Sequence, residues 1–313
     1  HALINTLTSI FKEMTDLFIN VMKAKKIPDK LKALGAFRPP HLSPIIAIEQ
    51  GLTDPFCGLN MGLTAELLAR ELNITREEQD QFANNSHAKA TLANENGIWA
   101  EEIVPLAVGA RLQKLLGHDV GPRSNSTVEG LGKMKPYFER RSGTVTIGNS
   151  CPITDGGSAL LLASEEAVKK YDLSPIAKIV DFHFHGLEPE RMGMGPLLAT
   201  DGVLKRTGLK LSDMDFVEIN EAFAAQTIAV LQGFKDKAVA DKFNVDTVWG
   251  EIPAEKLNVN GGAIALGHPV GSTGSRLCVT LAHQMKRGKA KYGLATLCIG
   301  GGQGGAIVLE NVN

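Results

Sequence analysis

GLATLCIGGG (residues 293–302), QGG (303–305) and AIVLEN (306–311) close the chain, and the reading of this stretch decides the fold. An aliphatic run, a glycine cluster and a second aliphatic run read as two strands joined through a tight turn. An earlier stretch has the same order: TVTIGN (144–149), TDGG (154–157) and SALLLAS (158–164). TVTIGN reads as a strand, TDGG as a turn and SALLLAS as a buried strand, with SEEAVKKYD (164–172) continuing as a helix. Aligning Asp155-Gly156-Gly157 with Gln303-Gly304-Gly305 sets each glycine turn between strand-like runs. This weak internal repeat points to two related α/β halves. Between the copies the pattern predicts a helix around 197–208, a strand at 215–219, a helix from Glu221 and a helix at 272–287.

Further upstream the character is helical. FKEMTDLFINVMKA (11–24) sets Phe11, Met14, Phe18, Val21 and Met22 near one helix face. A proline-rich stretch follows at 38–44. Residues 61–95 read as two helices, over 61–72 and from an N-cap at Thr75 with Glu78 in reach. Residues 97–142 are polar and loop-rich. The domain reading is therefore 1–142 as a largely helical insertion, 143–170 as the last strand and helix of one α/β half, and 171–313 as a second half.

The 313 residues exceed what one ordinary hydrophobic core holds, which agrees with more than one lobe. Lys plus Arg number 33 against 34 Asp plus Glu, so no basic face for nucleic acid is expected. The four cysteines, Cys57, Cys151, Cys278 and Cys298, show no CxxC spacing and no His-rich tract. Neither disulfides nor a metal site is expected, and a reduced compartment is. No apolar run reaches the roughly 18 residues of a membrane span. The chain starts at His1, which leaves any targeting segment upstream unread.

Three glycine-bordered segments concentrate reactive side chains: NEAFA (220–224), GGAIALGHP (261–269) and CIGGGQG (298–304). Each has a plain reading: an Asn cap before a helix, a turn histidine, a buried small thiol. Neither glycine run fits a phosphate-binding loop, because no Gly-Lys-Ser/Thr follows. Together they place an Asn, a His and a Cys where strands meet loops, a common site for catalytic groups in α/β proteins. A histidine activates a thiol or donates to an oxyanion, and glycines beside a thiol let substrate approach. That chemistry suits acyl transfer from a thioester, or proton abstraction beside its carbonyl.

In order, NEAFA, GGAIALGHPVGSTGSR (261–276) and CIGGGQGGA (298–306) resemble the three C-terminal signatures of the thiolase family. MGLTAELLARELNITREEQDQFA, ANENGIWAEEIVP, LGKMKPYF and GTVTIGNSCPITDGGSALLLAS are similar to further thiolase segments. The likeness runs from about Thr53 to the end, and residues 1–52 look like the longer loop of the trifunctional-enzyme β-subunit type. The resemblance implies a five-layered αβαβα core with an inserted helical loop domain, the first half being incomplete here. It implies thiolysis of 3-oxoacyl-CoA to acetyl-CoA and a shortened acyl-CoA, or the reverse Claisen condensation, as in fatty-acid β-oxidation and lipid metabolism. His268 would activate the nucleophile and help bind the thioester oxygen, and Cys298 would move the proton at the acetyl-CoA methyl carbon. Asn220 would hold a water in one oxyanion hole, and the Gly300 N–H would serve the other. Met61, Ser150, Cys151 and Phe223 would line the CoA site. CoA and acyl-CoA are then substrates, with no cofactor. A homodimer or tetramer, in cytoplasm or an organelle matrix, is implied.

The family's nucleophile stands in a Cys-x-Ser-Gly-like motif, and none of the four cysteines here is followed by x-Ser-Gly. Cys57, in DPFCGLNMG, matches the loop domain rather than that motif. Cys151 stands where many relatives carry Ser, and Asn60 where many carry His. Cys278 reads as core. The expectation is a chain inactive by itself, with the nucleophile segment outside these residues or on a separate piece that packs back. A non-catalytic CoA-binding or assembly module is the alternative. Ketoacyl synthases would carry His or Asn at Cys298, and sterol-carrier-type thiolases His-Asp-Cys-Phe at 220–223. Lys23, Lys25, Lys26, Lys30 and Lys32 flank the apolar stripe of 11–34. They read as a solvated face, or as a surface for membrane or a hydratase/dehydrogenase subunit.

Overall fold

The computed structural model describes residues 12–24, 26–38 and 47–312. It divides into two compact units, residues 1–60 and 61–313. The first holds α1 (Lys12–Lys23), α2 (Ile27–Leu34) and α3 (Ala47–Gly51), with α1 and α2 in contact. Phe11 and Lys25, and most of the proline-rich stretch, lie outside the described residues. Met22 is exposed, so the stripe expected along the first helix is not wholly buried.

In the second unit, α4 (Met61–Glu71) and α5 (Arg76–Glu95) form as their pattern predicts. The Thr75 hydroxyl accepts from the Glu78 N–H at 3.2 Å, and the Thr75 N–H donates to Glu78 Oε2 at 2.7 Å. This reciprocal cap satisfies two otherwise orphaned donors and contributes about 1 kcal/mol. A loop region follows, holding the exposed hairpin of β1 (Leu106–Val108) and β2 (Lys114–Leu116) and the short α6 (Val128–Gly132).

The expected strand at 144–149 is absent, and side chains explain why. Glu66, buried on α4, accepts from the N–H groups of Thr144 and Val145 at 2.9–3.0 Å. Asn149 Oδ1 accepts from the Thr146 N–H at 2.8 Å. The backbone polar groups that a ladder would use are thus spent on side chains. The expected buried strand at 158–164 is absent too: Leu160, Leu161 and Leu162 are exposed. A strand needs a partner, and no strand among the described residues runs beside this segment. The helix after it forms as α7 (Glu165–Tyr171), capped by Ser164.

From residue 177 a four-stranded sheet is built in the order β3 (Ala177–Gly186), β6 (Gln303–Asn311), β5 (Tyr292–Ile299), β4 (Phe216–Ile219). The β3–β6 and β6–β5 pairs are antiparallel and β5–β4 is parallel. The hairpin turn is Gly300-Gly301-Gly302, with φ of +80° and +78° at the last two, so Gln303-Gly304-Gly305 belongs to β6. The reading of Gln303-Gly304-Gly305 as a turn is therefore corrected to strand. The β6 glycines serve packing instead: a Cβ on Gly304 would come within 2.1 Å of the Gly195 carbonyl oxygen.

Residues alternate along β5 between two clusters. Leu294 and Cys298 join Leu197 and Leu204 of α8 (Gly195–Thr207). Ala295 and Leu297 join Leu277, Leu281 and Met285 of α12 (Thr273–Gly288). The sheet is thus covered by helices on both faces. Between β4 and α12 lie α9 (Ala224–Lys235), α10 (Lys237–Lys242) and α11 (Ala263–Leu266).

Candidate active site

β4 and β5 run parallel, and their ladder continues one step past β4, where the Asn220 N–H donates to the Thr296 carbonyl at 3.0 Å. Asn220 and Cys298 therefore sit at the carboxyl ends of adjacent parallel strands, where α/β proteins place reactive groups. Both are buried. The helix expected from Glu221 begins only at Ala224, because residues 222–224 are used in pairing. The Cys151 N–H donates to the Ala222 carbonyl at 3.0 Å and the Ala224 N–H to Asn149 at 2.9 Å. Asn220 is thus no helix cap.

His268 arrives on the loop between α11 and α12. Gly267 before it has φ +98°, and a Cβ there would strike Thr154, so only glycine threads the chain at this point. The Asn220 amide nitrogen lies 3.4 Å from His268 Nε2, and His268 Nδ1 lies 2.6 Å from the Thr273 hydroxyl. Thr273 directs its own proton towards the Pro269 carbonyl at 3.5 Å. With Thr273 donating to Pro269, the hydrogen sits on Nδ1 and Nε2 is the basic nitrogen. Burial, with the Arg276 charge adding to it, pushes His268 down to about 4, so the ring is neutral at neutral pH.

Burial pushes the Cys298 thiol up to about 12. Cys151 is pushed up to about 12 by burial and then by Cys298. Both hold their protons at neutral pH, so Cys298 is poised as an acid and needs a developing charge nearby to act as a base. Gly300 is exposed beyond the end of β5, and a Cβ there would lie 3.8 Å from Met61 Sδ. Ser150 bridges to Phe223, whose ring packs edge-on against Phe138 at 5.8 Å. Cys57 lies in a turn closed by Asp54 within residues 1–60, and Cys278 is half-buried on α12. Among the described residues no three His, Cys, Asp or Glu side chains gather to hold a metal ion.

The sequence reading did not single out Phe138, Thr273, Ser86 or Asn258. MKPYF and GSTGSR carried Phe138 and Thr273 inside recognised segments, but nothing local marks what they touch.

A model of the thiolase C-terminal domain matches residues 173–311, and one of the thiolase N-terminal domain matches residues 43–166. The chain belongs to the thiolase family. It is 44% identical over 269 residues to an acetyl-CoA acetyltransferase of Escherichia coli strain K12, covering 86% of this chain and 64% of that protein. It is 44% identical over 262 residues to the mitochondrial 3-ketoacyl-CoA thiolase of Bos taurus, covering 83% and 62%. Among solved structures it resembles the Bacillus anthracis acetyl-CoA acetyltransferase, with a TM-score of 0.77 and 39% identity over 86% of this chain and 64% of that one. It also resembles human mitochondrial 3-ketoacyl-CoA thiolase in complex with CoA, with a TM-score of 0.74 and 38% identity over 87% and 64%. The fold is the thiolase fold, and the chain spans a little under two thirds of the relatives' length. The thiolase domain models meet between residues 166 and 173, around the end of α7.

Proposed function

We propose that these residues form the acid/base and oxyanion-binding part of a thiolase active site. The reaction is cleavage of a 3-oxoacyl-CoA by CoA to acetyl-CoA and a shortened acyl-CoA, or its reverse. The observation that carries the reading is the contact of Asn220 with His268 at the end of β4, beside the strand β5 that carries Cys298 near its own end. A nucleophilic thiol outside the four cysteines seen here attacks the 3-carbonyl. The neutral His268 takes that thiol's proton. The C2–C3 bond breaks, and the electron pair left on C2 takes the Cys298 proton, giving acetyl-CoA. A second CoA thiol then gives its proton to the Cys298 thiolate and takes the acyl group, and His268 returns its proton to the released nucleophile.

In this scheme Asn220 and His268 serve one oxyanion, Asn220 through a water, and the Gly300 N–H serves the other. Met61, Ser150, Cys151 and Phe223 line the path of the CoA thioester. CoA and acyl-CoA are substrates, and the chemistry asks for no further cofactor. The domain assignment that fits is an inserted loop region over 1–142, the tail of the first half over 143–170 and the second half over 171–313. A homodimer or tetramer in cytoplasm or organelle matrix completes the proposal. No helix among the described residues is long and apolar enough to cross a membrane.

The first unit supports a surface role. Ile27, Leu31 and Leu34 are exposed, and Lys26, Lys30 and Lys32 lie on the same short helix or at its cap. This suits an anionic membrane surface or a hydratase/dehydrogenase subunit. Glu at the lysine positions should abolish sedimentation with anionic vesicles or capture of such a subunit, and unchanged binding in both assays removes that part. The activity is tested by thiolysis in the full protein. Cys298→Ala and His268→Ala should each lower kcat at least about 100-fold. A CoA-binding module without catalysis would bind CoA and show no turnover in the parent protein.

A further inference from the structure

Glu221, next to Asn220, is a buried carboxylate that the scheme above does not use. Its oxygens face donors on three separate segments. The Ser86 hydroxyl of α5 donates to Oε2 at 2.6 Å, the Ile264 N–H of α11 to Oε2 at 3.2 Å, and Asn258 Nδ2 to Oε1 at 2.7 Å. Ser86 is committed as a donor, because its oxygen accepts the Gly262 N–H at 3.1 Å. Asn258 cannot turn round either. Its Oδ1 accepts from the Ile219 N–H at 2.8 Å and its Nδ2 donates to the Ile219 carbonyl at 2.9 Å. Its backbone N–H donates to Val217 on β4 at 2.9 Å, with φ at +41°.

We propose that Glu221 is a positioning residue, an ionised anchor that ties α5, the 258–264 turn and the end of β4 together and so fixes the Asn220–His268 separation. A protonated carboxyl would turn an O–H towards Asn258 or Ile264, both donors, so this donor set favours the charged form. Burial holds the group above the ordinary carboxylate value, and the hydrogen bonds from Ser86, Asn258 and Ile264, with the Arg276 charge, offset part of that rise. Lys89 on α5 and Arg276 on α12 supply nearby positive charge, and Glu218 on β4 opposes it. Close packing leaves the anchor no slack. A Cβ on Gly262 would fall 2.3 Å from the Glu221 carboxyl carbon, and one on Gly261 would fall 2.7 Å from the Ser86 carbonyl oxygen. The segment that delivers His268 is therefore registered against α5 and β4, and Glu221 is the side chain bonded both to that segment and to α5.

The role rests on the thiolase reading for its effect on turnover, but its structural part is read independently. The test is a nuclear magnetic resonance titration of the His268 ring in the full protein, wild type against Glu221→Gln, beside kcat and KM for thiolysis. Glutamine places an N–H₂ where the partners are donors, so the loop loosens and water reaches the ring. The His268 midpoint should rise from about 4 by at least about one unit towards the ordinary histidine value. Turnover should fall at least about tenfold with KM within about threefold, the pattern of lost transition-state positioning. A folded variant with an unmoved midpoint and unchanged kcat overturns the proposal. Should Glu221→Gln fail to fold, Ser86→Ala decides by the same criterion, with a smaller shift of the same sign. If the wild-type protein turns over no 3-oxoacyl-CoA, the functional reading fails while the titration still decides this one.

Discussion

The Asn220 side-chain amide sits 3.4 Å from Nε2 of His268, joining the end of a strand to a loop 48 residues further along the chain. Through Thr273 on its other nitrogen, His268 is held between β4 and the first turn of α12. The ring is neutral, and with Nδ1 donating to Thr273 its basic nitrogen is the one turned to Asn220. That single tautomer fits both roles in the proposed reaction: it takes a proton from a thiol and later returns it.

Asn220→Asp should upset that balance. A carboxylate beside Nε2 favours the imidazolium, so His268 rises from its depressed value of about 4. The acid limb of the thiolysis pH–rate profile should move to higher pH. At neutral pH kcat should fall at least about tenfold. A profile superimposable on the wild type would mean that the two side chains do not act on each other.

Gly62 tests the proposed CoA-lining role of Phe223. A Cβ there would lie 2.3 Å from the Phe138 ring, and Phe138 in turn packs on Phe223. Gly62→Ala should cost about 1–3 kcal/mol by overpacking, offset slightly by the better helix propensity of alanine. It should also raise KM for 3-oxoacyl-CoA more than it lowers kcat. Denaturant midpoints and steady-state kinetics read the two effects separately.

His87 makes a pH prediction. It is buried on α5, accepts the Arg123 N–H at Nδ1 at 3.3 Å, and is pushed down from 6.5 to about 4 by burial and then by the Arg123 charge. With a folded-state value below the unfolded one, its contribution to stability is whole above pH 6.5 and is lost as pH falls towards 4. His87→Gln keeps an acceptor and removes the titration. The slope of stability against pH between 6.5 and 4 should flatten by up to about 1.4 kcal/mol per unit. Urea unfolding across that range measures it, and an unchanged slope would show that the imidazole is not buried neutral.

Much of this architecture could be read from sequence, because local chemistry wrote it. Thr75 with Glu78 marked the start of α5, and the alternating clusters of β5 and β6 follow aliphatic runs. The misread strand at 144–149 has strand composition, but its N–H groups go to Glu66, 78 residues away, which no local pattern records. The register of the glycine hairpin was misplaced because composition cannot separate glycines that turn, such as Gly301 and Gly302, from glycines that pack, such as Gly304. NEAFA, GHP and CIGGG each gave one reactive side chain, yet the contact between Asn220 and His268 exists only through the fold. The Glu221 anchor was hidden for the same reason: its partners come from residues 86, 258 and 264.

Deuterium exchange tests most directly the proposed transfer of a proton between Cys298 and the acetyl-CoA methyl carbon. The full protein, incubated with acetyl-CoA in D₂O, should place deuterium in the methyl group at a rate followed by proton magnetic resonance. Cys298→Ala should bind CoA with unchanged affinity and exchange at least about 100-fold more slowly. Exchange at the wild-type rate in Cys298→Ala would contradict the account, and would assign the proton transfer to another group.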